Sequence, residues 1–339
     1  MLSSEFKTGI RILANFIKRY KKEYAKGIAF SIISAMFSAL IPMIIRYGID
    51  LLESGTNYKS VIFTGSLIAL FGMSRSILLY IGRNHIVITG RLIERDMREK
   101  TFEKLLITKT EFFDKEGTGK ISSQIINDIE NVRMMLGFGG MIISHIAPVF
   151  VFSLILEFFI SPILATIALI PLVFIPIIVI THEKKIFELS ELVQEKISEI
   201  TNFSQEIFSK IKIIKNFTIE DKVGEKFSHL SSEYKKSNLT LSKQRAIFES
   251  LIVLFSMLSI VAVIIPGYHL LDIGVITKGD LAGFIAYQLI LAWPAMAIGY
   301  LFAVIQRGVA CLWRINRIFE QPQEIPDLSV YYEHKNIPK

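Results

Sequence analysis

The chain has 339 residues, 51% of them hydrophobic, and its mean hydropathy of +0.47 is too high for an ordinary soluble protein. It also carries 38 basic and 31 acidic residues, for a net charge of +7. The basic blocks alternate with apolar runs, so the positive charge is better explained by membrane topology than by nucleic acid, which we exclude as a partner. The single Cys311 rules out an intrachain disulfide and a cysteine-based metal site; we expect no metal and a buried or lipid-facing thiol.

Residues 1–26 place lysines and arginines around Ile10, Leu13, Phe16 and Ile17. This pattern predicts an amphipathic helix that lies on the membrane surface ahead of the first span. A cleavable signal peptide is disfavoured, because no small-residue cleavage site follows the first apolar run.

Six apolar runs have the roughly 20 residues needed to cross a bilayer. They are 28–47, 61–81, 135–160, 162–180, 248–270 and 281–301, and the third and fourth are close enough to form a tight hairpin. Thirty-four of the 38 basic residues lie on one side of this arrangement. The positive-inside rule therefore predicts cytoplasmic termini and two long cytoplasmic insertions, residues 83–134 and 182–247.

Both insertions have apolar residues at near-helical spacing, which predicts spans continued into the cytosol and packed together as a bundle. Glu94 with Arg98, and Asp96 with Lys100, are expected to pair across one helical turn. A solvent-exposed coiled coil is the alternative. It is less favoured because each insertion contains a break and then returns to the membrane.

The break in the first insertion lies within residues 112–132, FFDKEGTGKISSQIINDIENV. Gly117 and Gly119 are predicted to interrupt the helix there. This stretch resembles the first intracellular loop of ABC exporter transmembrane domains. The resemblance implies a first coupling helix, which rests on a nucleotide-binding domain and comprises Phe112, Phe113, Asp114, Gly119, Ser123, Asn127 and Asp128. Gln124 stands where the family often has arginine, so no ion pair is assigned to that position.

The second insertion contains Lys215, Phe217 and Glu220, a pattern similar to the second intracellular loop of the same family. The resemblance implies a second coupling helix. Phe217 would be an apolar knob for a partner groove, with Lys215 and Glu220 setting its register.

Residues 317–320 and 324–327 are similar to the passage that leads from the sixth helix of these exporters into the nucleotide-binding domain. The resemblance implies an all-α fold of six transmembrane helices over residues 27–320, with a linker at 321–339. It also implies a homodimer or heterodimer, with ATP and Mg²⁺ on nucleotide-binding domains, in a bacterial inner membrane. The substrate would be hydrophobic or amphipathic, and membrane lipid would surround the spans. The linker-like ending led us to expect a fragment of a longer protein.

ATP hydrolysis is not expected of this chain itself. A phosphate-binding loop requires G-x-x-x-x-G-K-[ST], but Gly119-Lys120 is followed by Ile121, and Asp114 occupies the first glycine position. The LSGGQ signature of the family is also absent, because residues 241–244 read LSKQ.

Polar residues in or near the spans are candidates for lining a substrate cavity. They are Arg75, Asn84, His85, Tyr287, Gln288, Trp293 and Gln306. A charge deep in a span usually faces a cavity or a partner, but ion pairing, snorkelling and hydrogen bonds between helices explain such residues equally well. His145 and Glu157 are possible proton carriers. Pro171, Pro176 and Pro294 are expected to bend their helices.

Two other functions stay open at this stage. A secondary carrier would need ion-coupling acids at the midplane, and the spans are poor in them. A regulatory or scaffolding membrane subunit would use the same cytoplasmic loops without moving cargo.

Overall fold

The computed structural model describes residues 2–55 and 58–322, with side chains described for Ala14 and from Phe16 onward. These residues contain no β-strand, and the prediction of an all-α chain is confirmed. The helices are α1 (Leu2–Glu53), α2 (Tyr58–Leu106), α3 (Thr110–Glu116), α4 (Thr118–Ile160), α5 (Pro162–Ser209), α6 (Ile211–Phe217), α7 (Glu220–Asp272) and α8 (Lys278–Phe319).

Six of these helices, all except α3 and α6, are long and apolar enough to cross a membrane. The six predicted spans are therefore confirmed, and each continues beyond its apolar run. The turn between α4 and α5 consists of Ser161 alone, whose hydroxyl accepts a hydrogen bond from the Leu164 amide at 3.5 Å. The predicted tight hairpin is confirmed. The three prolines expected to bend helices lie inside continuous α5 and α8, and the bends stay predictions.

The amphipathic surface helix predicted for residues 1–26 stays a prediction; in the structure this segment is helical and continues without a break into the first span. No glycine or proline interrupts residues 10–26. The side chains of Ile10 and Leu13 lie outside the described residues. Phe16 is buried in one cluster with Ile93, Ile129 and Leu312, so this residue packs on other helices.

The two insertions do not form one bundle. The first, from α2 and α4, packs with α1 and α8 around a core that includes Met97, Val132 and Ile315. The second is a hairpin of α5 and α7, tied across its middle by Lys196, whose ammonium lies 3.1 Å from the Glu233 carboxylate. The prediction of a joint bundle is therefore wrong, because each insertion pairs with different neighbours.

One of the two ion pairs predicted in α2 forms. Arg98 lies 2.8 Å from Glu94, as expected. Asp96 instead pairs with Arg19 at 3.0 Å and accepts a hydrogen bond from the Tyr20 hydroxyl at 2.8 Å. Lys100 lies over the Phe16 ring. The approach of α1 therefore replaces the local Asp96–Lys100 pair with contacts between helices.

The opposite end of the spans is closed by contacts between α1 and α8. Thr277 and Asp280 form a capping box at the start of α8. Asp50 of α1 accepts a hydrogen bond from the Gly279 amide at 2.9 Å, and Arg46 lies 2.5 Å from Asp280. These contacts hold the first and sixth spans together on the side away from the insertions.

Candidate functional site

A cavity of about 420 Å³ lies among α1, α2, α4 and α8. Its polar lining comes from Ser38, Arg75, Arg83 and His145, together with the Trp293 indole. Its apolar lining comes from Leu79, Met141, Ile146, Val149, Ile290 and Pro294. The cavity therefore combines greasy walls with a few polar groups, which is typical of a small-molecule site.

The two arginines of the cavity lie on one stripe of α2. Arg75, Leu79 and Arg83 are four residues apart, so all three project from the same side of the helix. Arg75 and Arg83 are separated by about 12 Å along the axis. Neither guanidinium has an ion pair or hydrogen bond within the part of the chain that the structure describes.

His145 is held by α1. Its Nδ1 lies 3.1 Å from the carbonyl oxygen of Ser31. Because a carbonyl oxygen can only accept, Nδ1 donates the hydrogen bond and Nε2 is the nitrogen left for other partners. We had considered this residue as a proton carrier, and the structure places it in the cavity wall.

The seven residues predicted to line a cavity are dispersed. Arg75 and Trp293 lie in the wall just described, and Gln306 lies in a different cavity of about 360 Å³ between α5 and α8. Asn84 is exposed outside both cavities. His85 pairs with Glu23 at 3.0 Å and stacks on Phe30, so it connects α2 to α1.

Tyr287 and Gln288 are buried between helices and do not line the main cavity. The Tyr287 hydroxyl donates to the carbonyl oxygen of Ala39 at 2.8 Å, and Gln288 Nε2 donates to Glu157 Oε1 at 2.7 Å. Both residues therefore hold α8 against α1 and α4. Glu157, one of the two possible proton carriers predicted from the sequence, is fully buried.

Arg83 is the cavity residue that the sequence analysis missed. The signal that could have found it is its spacing of two helical turns from Arg75. No comparable spacing in the sequence identifies the cavity residues of α4. The face that α4 turns toward the cavity is decided by its packing and by three π-helical turns, at Gln124–Asp128, Met135–Gly139 and Ile142–Ile146.

The tip of the first insertion is α3, a seven-residue helix that ends at Gly117 (φ +80°). Phe112 and Phe113 are half-buried against Leu105, Ile121 and Ile318. They therefore anchor α3 to its own bundle, and the exposed side of the tip carries polar residues, Glu111, Asp114 and Lys115.

The other residues of the first predicted coupling helix lie in α4. Gly119 does not interrupt a helix, contrary to expectation; only Gly117 does. Ser123 accepts a hydrogen bond from Asn127 at 3.1 Å on an exposed face. Asp128 is buried and accepts two hydrogen bonds from Arg314 of α8, at 2.7 and 2.6 Å. The motif thus includes the tip helix α3 and also Asp128, which connects α4 to α8.

The first tip is also linked to the C-terminal end of α8. Arg317 lies 3.4 Å from Glu116, which pairs with Lys120 as well. The hydrogen bond from Lys120 lowers the pKa of Glu116. Gly119 and Lys120 lie in the first turn of α4, directly after Gly117.

The tip of the second insertion is α6, which ends at Thr218 in the left-handed conformation (φ +51°). Ile214 is buried against the hairpin, while Lys215 and Glu220 are exposed. Phe217 is 73% exposed. This tip presents apolar side chains to solvent, namely Phe208, Ile211, Ile213, Phe217 and Ile219.

Comparison with known proteins agrees with this architecture. Residues 24–295 match the family model for the ABC transporter transmembrane region. The multidrug resistance-like ATP-binding protein MdlA of Buchnera aphidicola (from Schizaphis graminum) is 29% identical over 315 residues, which is 92% of this chain and 54% of that protein.

Two further relatives are similar to this chain at lower sequence identity. The probable multidrug resistance ABC transporter ATP-binding/permease protein YheI of Bacillus subtilis is 24% identical, over 94% of this chain and 55% of its own length. The ATP-dependent lipid A-core flippase of Pseudoalteromonas translucida is 23% identical, over 69% and 40%. The chain spans about half the length of the first of these relatives. With six spans and a family match over most of its residues, this multi-pass membrane protein belongs to the ABC transporter transmembrane region family.

Proposed function

We propose that this chain forms the substrate pathway of an ATP-driven exporter and that nucleotide-binding domains drive it through α3 and α6. The observation that carries the proposal is the pair of short tip helices, each at the end of long helices that begin in the membrane. From residue 81 to the end of α2 is about 38 Å, and from residue 180 to the end of α5 is about 44 Å. Because these long helices are stiff, a displacement of either tip is transmitted along them to the spans.

The two tips would contact a driving domain in different ways. The apolar residues of α6 need a hydrophobic groove, in which Phe217 is the most exposed aromatic side chain. The exposed residues of α3 are polar, so its contact would depend on hydrogen bonds and charge, while Phe112 and Phe113 keep α3 fixed to α2, α4 and α8. We expect α6 to contribute more than α3 to the contact with the driving domain.

We further propose that ATP and Mg²⁺ bind to those nucleotide-binding domains, in the same polypeptide or a separate one. Two such transmembrane halves, identical or different, would enclose the pathway in a bacterial inner membrane. The distribution of basic residues supports cytoplasmic tips. The lipid-facing surface is apolar, which supports a hydrophobic or amphipathic cargo entering from the membrane.

The test is transport in vesicles by this chain joined to a matching nucleotide-binding domain. We expect ATP-dependent efflux of a neutral hydrophobic dye. Phe217→Ala should lower efflux at least tenfold while ATP hydrolysis continues, because the removed ring is the main apolar anchor of α6. Phe187→Ala is the matched control: this ring is also exposed on a cytoplasmic extension, but it lies about 33 Å before the end of α5 and so away from both tips.

Undiminished efflux in Phe217→Ala would contradict the coupling role of α6. Efflux driven by a proton or sodium gradient, without ATP, would instead indicate a secondary carrier. Active ATP hydrolysis with no efflux of any tested cargo would favour a regulatory or scaffolding subunit.

A further inference from the structure

We propose that the cavity among α1, α2, α4 and α8 binds an amphipathic anion: a phosphate or carboxylate head group on a hydrophobic chain. The inference rests on the proposed function, since it names the cargo class of that same pathway. It follows from the charges of the lining, from the positions of the nearby acids and from the shape of the polar stripe.

The lining contains two arginines and a histidine but no carboxylate. A guanidinium within a membrane span is costly unless it has a partner or reaches water. Arg75 and Arg83 have no such partner within the described chain. Two unpaired cations in a cavity with low-dielectric walls also focus a positive potential there, which attracts anions and repels cations.

The acids in and next to the spans of the helices that line the cavity, α1, α2, α4 and α8, are occupied elsewhere. Glu157 is buried and hydrogen-bonded to Gln288, Asp280 lies against Arg46, and Asp50 accepts hydrogen bonds at the start of α8. Glu53 pairs with Lys278 at 2.6 Å. The described carboxylates of this region therefore do not neutralise the cavity arginines, and the positive charge is available to a ligand.

The arrangement of polar and apolar groups requires a ligand with two parts. Arginine favours planar, bidentate contact with phosphate and carboxylate oxygens. Both arginines lie on the α2 side, whereas Ile146, Val149, Ile290 and Pro294 on α4 and α8 provide hydrocarbon contact. The anionic head would lie against α2, and the chain would lie against α4 and α8.

Trp293 provides a direct optical probe of this cavity. The protein has two tryptophans. The other one, Trp313, lies near the cytoplasmic end of α8, where the Arg317 guanidinium lies over its ring. In a Trp313→Phe background, fluorescence reports from the cavity wall alone. The chain is placed in nanodiscs of zwitterionic lipid, so that no anionic lipid competes, and is titrated with dodecyl phosphate or dodecyltrimethylammonium.

We expect dodecyl phosphate to bind at least tenfold more tightly than dodecyltrimethylammonium. Arg75→Gln combined with Arg83→Gln should abolish this preference, whereas Arg75→Lys combined with Arg83→Lys should keep part of it. The matched control is Arg245→Gln, which makes the same change of residue in a different cavity. Inorganic phosphate at the same concentrations should bind at least tenfold more weakly, because it lacks the chain.

Equal affinity for the two head groups would overturn the proposal, and so would a preference that survives in the double glutamine variant. Inorganic phosphate binding as tightly as dodecyl phosphate would overturn the requirement for an apolar chain. If the double variant loses its size-exclusion peak, the head-group comparison on the background chain still decides. Efflux of the neutral dye without any head-group preference overturns only this inference, whereas a preference without efflux overturns only the transport proposal.

Discussion

At the residue scale, the most consequential contact outside the cavity is the Asp128–Arg314 pair. Asp128 is buried in α4 and receives two hydrogen bonds from the guanidinium of α8. A buried carboxylate that loses its cation keeps the cost of its desolvation. The resemblance to exporter loops marked Asp128 as part of a coupling helix, but its partner shows that it also joins two long helices.

Arg314→Ala should destabilise the bundle of α1, α2, α4 and α8 by about 2–3 kcal/mol. This loss is smaller than the loss expected for a fully buried ion pair, because Arg314 is itself partly exposed. Thermal unfolding in detergent would measure the loss. Arg307→Ala is the control: Arg307 lies 3.6 Å from Glu183 and is more exposed, so its removal should cost about 1 kcal/mol or less. Equal losses in the two variants would contradict a special role for Asp128.

At the element scale, small residues decide how closely α1 and α2 approach. A Cβ on Gly82 would lie 2.9 Å from the Ser31 amide nitrogen and 3.0 Å from the Gly27 carbonyl oxygen. A Cβ on Gly27 would lie 3.1 Å from the Gly82 carbonyl oxygen. The two glycines therefore form a crossing point at which backbone meets backbone, as is common between membrane helices.

Gly82→Ala should force α1 and α2 apart and cost roughly 1–3 kcal/mol, because the contacted atoms belong to backbone that cannot rotate away. Gly72→Ala lies on the same helix and meets nothing within 4 Å, so it should be neutral or stabilising by up to about 1 kcal/mol. Thermal unfolding of both variants would test this. A loss in Gly72→Ala as large as in Gly82→Ala would contradict the steric explanation.

At the scale of the whole molecule, the long helices separate the chain into the six apolar spans and two projections beyond them with different surfaces. The first projection is built into the α1 and α8 core, and the second is a hairpin with an apolar tip. Because of this asymmetry, we expect α6 to contribute more than α3 to the contact with the driving domain.

The orientation of this arrangement can be tested by labelling. In intact cells, a membrane-impermeant maleimide should label Ser54→Cys, between the first two spans, but not Ser209→Cys at the end of α5. Both positions should be labelled after permeabilisation. The native Cys311 is buried and should contribute little background. Labelling of the second variant in intact cells would contradict cytoplasmic tips.

The sequence by itself determined the all-α class, the six spans, the tight α4–α5 hairpin and the positions of two turns. These features depend on local composition and periodicity, because apolar length selects a span and Gly117 permits a left-handed turn. Arg75 was found for the same reason, as a charge within a span, whereas Phe217 was found through the resemblance of its loop to that of ABC exporters.

Only the tertiary structure decided which faces meet. It turned the N-terminal segment into part of α1, moved Asp96 to α1, turned Phe112 and Phe113 inward, buried Glu157 with Gln288 and added Arg83 and His145 to the cavity. These outcomes depend on contacts between residues far apart in the chain; of these residues only Arg83 had a local signal, its spacing of two helical turns from Arg75. The crossing of α1 and α2 and the rotation of α4 set these partners, and with them the charge of the cavity.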